Sequence, residues 1–149
     1  MMENMNLLQN KMELKELVDV FSILADKKDT KAQAELFTED ATLKSYIDNQ
    51  LASEQHGREE IYAACTGFLA LFDTVYHING QQVVEFADDT HATGMAYCQV
   101  VLIGKNEDGK RMMNTQGVWY EDEYIKLNGK WLIANRTSHF KWVDRKEVE

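Results

Sequence analysis

Two polar residues sit where the surrounding pattern asks for apolar ones. Asp26 closes an amphipathic segment, Leu24-Ala25-Asp26-Lys27-Lys28-Asp29, and His77 opens a strand-like run, Val75-Tyr76-His77-Ile78-Asn79-Gly80-Gln81. Brought together in an apolar pocket, a carboxylate and an imidazole make a general base: Asp orients and charges the ring, and His takes a proton near neutral pH. The chemistry such a pair serves is proton abstraction. Each residue also has a plainer reading. Asp26 suits a turn between helices, although Asp29 or Thr30 can cap the helix that follows. His77 taken alone reads as a structural histidine bonded to backbone.

Strand alternation puts His77, Asn79, Gln81 and Val83 on one face. Three polar residues in succession there fit a polar pocket or a solvent-facing stretch, not a dry core. Tyr46, Tyr97, Trp119 and Tyr120 are candidates for a pocket wall; adjacent Trp119 and Tyr120 point to opposite faces, so one of them lines the cavity. His56 and His91 fall in or after loops and read as surface, and His139 is open to either reading. No His-x-x-x-His pair or carboxylate cluster has metal-ligand spacing, so no metal is expected. The eight glycines are scattered and form no phosphate loop.

The elements that must position these residues follow from periodicity. From Glu13, apolar residues recur at Leu14, Leu17, Val18, Phe21 and Leu24, a helical stripe that faces a core. Thr30 begins a short second helix with Gln33 as its capping-box partner, and Ala34, Leu36 and Phe37 supply its buried side. Ala41 to Ile47 reads as a first strand, followed by a polar loop through His56. Gly57-Arg58-Glu59-Glu60 introduces a third helix with an apolar face of Ile61, Ala64, Cys65, Phe68, Leu71 and Phe72. After Asp73 the period changes to two, giving strands over Val75 to Phe86, His91 to Ile103, Arg111 to Lys126 and Lys130 to Trp142. Asn128-Gly129 between the last two is a strong hairpin signal, because both turn residues need positive φ. The segment after Trp142 is read as frayed. Helices followed by a meander of long strands predict an α+β fold, with helices packed on a strongly curved sheet around a cavity. One domain over 1–149 is expected, with its core at about 13–142.

The charge balance narrows the partners. Twenty-five acidic residues against 16 basic give a net charge of −9, and nucleic acid or an anionic membrane would require a cationic face. No apolar run reaches the ~18 residues of a membrane span. The N-terminus lacks the basic stretch of a signal peptide, so the cytoplasm is the expected location. Cys65 and Cys98 are too few for a redox motif and read as buried free thiols. The strand around Val100, Val101, Leu102 and Ile103 is apolar on both faces, which predicts self-association as a homodimer, with a trimer as the alternative.

Ala25-Asp26-Lys27-Lys28-Asp29, then Leu36-Phe37-Thr38-Glu39-Asp40-Ala41, resembles the opening of the SnoaL-like branch of the NTF2-like superfamily. Gly57-Arg58-Glu59-Glu60-Ile61 is similar to that family's entry to its third helix. His77 with its polar run, and Tyr120-Glu121-Asp122-Glu123-Tyr124 leading to Asn128-Gly129-Lys130-Trp131-Leu132-Ile133, complete a resemblance that spans Leu14 to Trp142. The branch most similar at these positions holds scytalone dehydratase, hexachlorocyclohexane dehydrochlorinase and bile-acid dehydratase. The resemblance implies a cone-shaped fold of three helices on a mainly antiparallel sheet, and a lyase without metal or organic cofactor. It implies His77 as general base, Asp26 as its partner, and a small apolar or cyclic molecule as substrate. Gln81 stands where the family often has Asn, and Arg136 lies on the last strand where some members place a cation in the pocket. Two rival readings remain: an isomerase on the same scaffold, and a binding or assembly module like the β subunits of ring-hydroxylating dioxygenases.

Overall fold

The computed structural model describes residues 4–148. Helix α1 (Asn4–Asp26) buries Leu14, Leu17, Val18, Phe21, Ser22 and Ala25 along one side, at the three- and four-residue steps that put side chains on one helix face. It ends because Lys28 turns to φ 58°. The Lys28 amide then bonds to the Ala25 carbonyl at 3.0 Å and the Asp29 amide to that of Leu24 at 2.9 Å. That pair of bonds is a Schellman closure, here with lysine in the left-handed position that glycine usually takes. Asp26 is thereby fixed in the last helical turn.

Helix α2 (Thr30–Ala34) is capped by Asp29, whose side chain accepts from the Ala32 amide. The capping box expected from Thr30 and Gln33 does not form; the Thr30 hydroxyl instead meets that of Thr66 at 2.7 Å. Strand β1 (Phe37–Ile47) turns through Asp48-Asn49 into β2 (Gln50–His56). The stretch expected to be a polar loop through His56 is therefore a hairpin partner. Asp48 and Asn49 both take positive φ, 52° and 63°, as a two-residue hairpin turn requires. Helix α3 (Arg58–Leu69) buries Ile61 and Leu69, whereas Phe68 and Leu71, expected on its apolar face, are exposed.

Four long strands follow: β3 (Thr74–Phe86), β4 (His91–Lys105), β5 (Arg111–Leu127) and β6 (Lys130–Glu147). The segment after Trp142 is not frayed. It continues β6 and pairs with β5 as far as Met112↔Glu147. The six strands run in the order β2-β1-β6-β5-β4-β3. All neighbours are antiparallel except β1 and β6, which are parallel. Bulges interrupt β3 at Gly80-Gln81 and β6 at Ala134 and Lys141. An extra residue bends and twists its strand locally, which lets strands of 13 to 18 residues curl around a core instead of extending flat. The concave face carries that core: Ala96, Cys98, Val100 and Leu102 from β4, Val118, Tyr120 and Tyr124 from β5, and Trp131 and Ile133 from β6, packed on α1 and on Phe37, Ala41 and Leu43 of β1.

Candidate functional site

Helix α1 and strand β3 lie side by side, and polar groups stitch them together. Asp26 in the last turn of α1 meets His77, with 2.6 Å between Oδ1 and the ring Nδ1. The His77 backbone amide donates to both carboxylate oxygens, at 3.0 and 3.1 Å. One helical turn back, the Ser22 hydroxyl donates to Asn79 Oδ1 at 3.1 Å. Asn79 Nδ2 reaches the Val18 carbonyl at 3.2 Å and Asp19 Oδ1 at 3.0 Å. Gln82 Nε2 then donates to the Leu14 carbonyl at 3.3 Å.

The two elements stay in step for a geometric reason. From Asp26 back to Leu14 a helix covers about 18 Å, and from His77 to Gln82 a strand covers about 17 Å. The bulge at Gly80-Gln81 lies opposite Tyr97 and shifts the register so that Asn79 pairs with Cys98 and Gln82 with Ala96. After it, Gln82, Val84 and Phe86 turn inward, while Gln81 and Val83 face out. The expected alternation of His77, Asn79, Gln81 and Val83 therefore breaks, and Gln81 lies on the opposite face from His77. Nothing in the sequence apart from Gly80 marks that slip.

The other candidate residues divide between the two faces. Tyr97 alternates with buried Ala96 and Cys98 and packs on the outer face against Trp119, with ring centroids 5.7 Å apart. Tyr46 also lies on the outer face, stacked on His139 at 5.3 Å. Neither stands with His77. Tyr120 is the inward member of the Trp119–Tyr120 pair and is buried. Arg136 is inward too, with no exposed side chain, and is paired with an equally buried Asp122. Its Nε and Nη2 donate to the two carboxylate oxygens at 2.8 and 2.9 Å, a bidentate fork. The guanidinium lies between the rings of Phe21 and Tyr120, 4.4 and 3.9 Å from their centroids. Tyr124 adds its hydroxyl to Asp122 at 2.6 Å. The remaining nitrogen, Nη1, is buried with no hydrogen-bond partner among the described residues.

Asp122, Ser22 and Gln82 were not singled out from the sequence, whereas Asn79 was placed on the His77 face and lies there. The signal for Ser22 was available, because it interrupts an apolar helix face. Asp122 sits among acids at 121–123, where alternation turns one inward, but only the final register decides which.

Burial governs the protonation of these groups. Desolvation lowers the His77 pKa, the Asp26 hydrogen bond and charge pull it back up, and Arg136 pushes it down; the net shift is below the ordinary histidine value. Burial also works against the charge on Arg136, but Asp122 outweighs it and holds the guanidinium protonated. Both thiols are pushed up to about 11 by burial, so Cys65 and Cys98 are neutral and inert as nucleophiles at pH 7. No group of three or more His, Cys, Asp or Glu residues that could hold a metal ion occurs among the described residues.

The arrangement has a defined chemical capacity. An ionised carboxylate only accepts, so Asp26 holds the proton on Nδ1 and leaves the Nε2 lone pair available. Nε2 makes no hydrogen bond among the described residues. The imidazole is 10% exposed, enough contact to exchange a proton but too little for water to solvate it fully. On the same concave side, a pocket of about 320 Å³ opens between Phe68 of α3 and the inner faces of β5 and β6, lined also by Ile47, Gln116, Phe140 and Val143.

Comparison with known proteins agrees with this architecture. The model of the SnoaL-like domain matches residues 7–137. The chain belongs to the SnoaL-like family. Solved structures share this SnoaL-like fold over nearly the whole chain. A scytalone dehydratase-like protein of Novosphingobium aromaticivorans, 20% identical, covers 99% of this chain and 94% of its own, with a TM-score of 0.84. A type 2 hexachlorocyclohexane dehydrochlorinase, 14% identical, has the same coverages and a TM-score of 0.79. A Xanthomonas campestris protein similar to the association domain of calcium/calmodulin dependent protein kinase II is 23% identical over 86% of this chain and 85% of its own, with a TM-score of 0.67. At these identities the likeness is one of fold. No curated protein matches the sequence. Within the SnoaL-like family, then, function must be argued from this chain's own site.

Proposed function

We propose that this SnoaL-like protein is a lyase of the dehydratase or dehydrohalogenase type. The observation that carries the reading is the 2.6 Å contact of His77 Nδ1 with Asp26, on a ring whose second nitrogen has no hydrogen-bond partner among the described residues. His77 Nε2 takes a proton from a carbon of a small apolar or cyclic substrate. The C–H electron pair becomes a carbon–carbon double bond as the neighbouring carbon releases halide, or releases its hydroxyl, which takes the proton back from the His77 imidazolium and leaves as water. Asp26 steadies the imidazolium so formed, and the unpartnered Nη1 of Arg136 supplies positive potential for the charge that develops. Elimination is favoured over isomerisation because two of the fold relatives are of dehydratase and dehydrochlorinase type.

The reading is tested with a panel of β-hydroxy ketones and chlorinated cyclohexanes, followed by release of water or chloride. Loss of a positioned base typically costs 10²–10⁴-fold, so H77A and D26N are expected to lower turnover by at least 100-fold while circular dichroism stays native. Turnover that survives both substitutions sinks the proposal. So does conversion with conserved mass, which marks an isomerase. A second reading, assembly through the sheet, draws on the exposed Tyr76, Ile78, Val83 and Trp142 and on the association-domain relative. A wild-type protein that self-associates in sedimentation and eliminates no panel member would favour it.

A further inference from the structure

The hydrogen-bonding ladder places a second functional side chain in line with His77. His77 on β3 pairs with Val100 on β4, Val100 pairs with Gln116 on β5, and Gln116 pairs with Val143 on β6. Directly opposed residues share a face, so all four look onto the concave side, where Val100 is 3% exposed. Two strand spacings separate the His77 and Gln116 backbones, about 10 Å. Gln116 lines the 320 Å³ pocket between Phe68, Phe140 and Val143. Its Oε1 is buried and has no hydrogen-bond partner among the described residues.

A buried acceptor without a partner is costly, and native proteins keep such groups mainly where something else completes them. Ile47, Phe68, Phe140, Trp142 and Val143 make most of the pocket wall apolar, with Asp48, Asn114 and Arg145 as its other polar residues; a mostly apolar wall with a few polar groups is the usual composition of a ligand pocket. The geometry points to Gln116 as a specificity-determining residue that binds a hydroxyl on the far end of a ring substrate. This inference rests on His77 addressing the reacting carbon at the near end. An amide presents either its oxygen or its nitrogen by rotating, and a hydroxyl satisfies both settings. An all-hydrocarbon end satisfies neither and leaves the buried group unpaired.

The test is a binding measurement with two probes of matched shape, 4-ethylphenol and 4-ethyltoluene, on the wild type, Q116L and Q116M. Calorimetric titration reads each dissociation constant, and the methionine variant keeps the length and flexibility of glutamine should leucine disturb the fold. Both substitutions are expected to weaken 4-ethylphenol about tenfold, the size of one hydrogen bond to a buried group. The same changes should leave 4-ethyltoluene as tight as before or tighter. The inference is overturned if the two probes respond alike, if 4-ethylphenol binding is indifferent to Gln116, or if neither probe binds. Because only binding is read, failure here is distinct from failure of the lyase reading. A protein with this selectivity that eliminates nothing would sink the lyase alone, and a His77-dependent lyase without it would sink only the role of Gln116.

Discussion

Changing Asp122 to Asn strands a guanidinium that has no water to turn to. Arg136 and Asp122 are both fully buried, joined by two hydrogen bonds of 2.8 and 2.9 Å. Removing one partner of such a pair typically costs about 3–5 kcal/mol, because the other charge stays desolvated and uncompensated. In a domain of this length each kcal/mol moves the melting temperature by roughly 2–4 °C. D122N keeps one oxygen to accept from the guanidinium, so a fall on the order of 10 °C is expected. R136M leaves the carboxylate with only the Tyr124 hydroxyl, and is expected to cost a similar amount. The double variant D122L/R136M removes both charges together and fills their volume with apolar atoms. Replacements of that kind are often neutral or stabilising, so it should recover most of what either single change loses. Thermal and urea melts of these proteins, with D122L as the matching single variant, measure the coupling. Two results would refute the reasoning: a double variant whose loss is the sum of the singles, or a D122N protein within about 1 kcal/mol of the wild type.

Two further expectations concern the site and the backbone. The folded His77 pKa lies below its ordinary value, mainly through desolvation, so between the two values the unfolded chain binds the extra proton. The stability this residue contributes is then complete above pH ~6.5 and is lost as pH falls through the folded pKa. H77Q should flatten that part of the stability profile. The acid limb of turnover should likewise fall below pH ~6.5 and move lower still in any residual activity of D26N, because Asp26 is what pulls the ring pKa up; an upward move contradicts the assignment. The glycines offer a matched pair. A Cβ on Gly104 would stand 2.6 Å from the Leu71 carbonyl oxygen and 3.2 Å from Phe72 Cα, whereas one on Gly67 in α3 would meet nothing within 4 Å. Urea unfolding should show G104A losing about 1–3 kcal/mol and G67A gaining about 0.5–1 kcal/mol.

The elements were legible wherever local pattern alone decides them. The three- and four-residue steps of α1, and the Asn128-Gly129 turn, whose φ values are 51° and 79°, follow directly from the sequence. The β1–β2 hairpin was missed because Asp48-Asn49 is a weaker sign of positive φ than Asn-Gly, and because β2 is almost wholly exposed and so carries no apolar alternation. The C-terminal end of β6 was missed for the same reason: its order comes from pairing with β5, not from burial. At the candidate site, Asp26 and His77 stood out as polar residues in apolar settings. The face of Gln81 could not be read, since one extra residue in a strand reverses every side chain beyond it. Nor could the pairing of Arg136 with Asp122, which lie opposite one another across β5 and β6 only because of the bulge at Ala134.

The place of β6 in the sheet bears on how the protein is made. The last strand synthesised lies between β1 and β5, so the first strand cannot join the others until residues 130–147 have left the ribosome. Up to that moment the nascent chain presents two bare, pairing-competent margins, one on β1 and one on β5, of the sort that recruit wrong partners. Insertion of β6 heals both at once by a non-local step, with β1 and β6 about ninety residues apart in the chain, and contacts of that range make for slow folding. Closure of the sheet is therefore expected only after β6 has emerged from the ribosome. Ribosome-stalled chains ending just short of Lys130 should be protease-sensitive even though their helices are already complete.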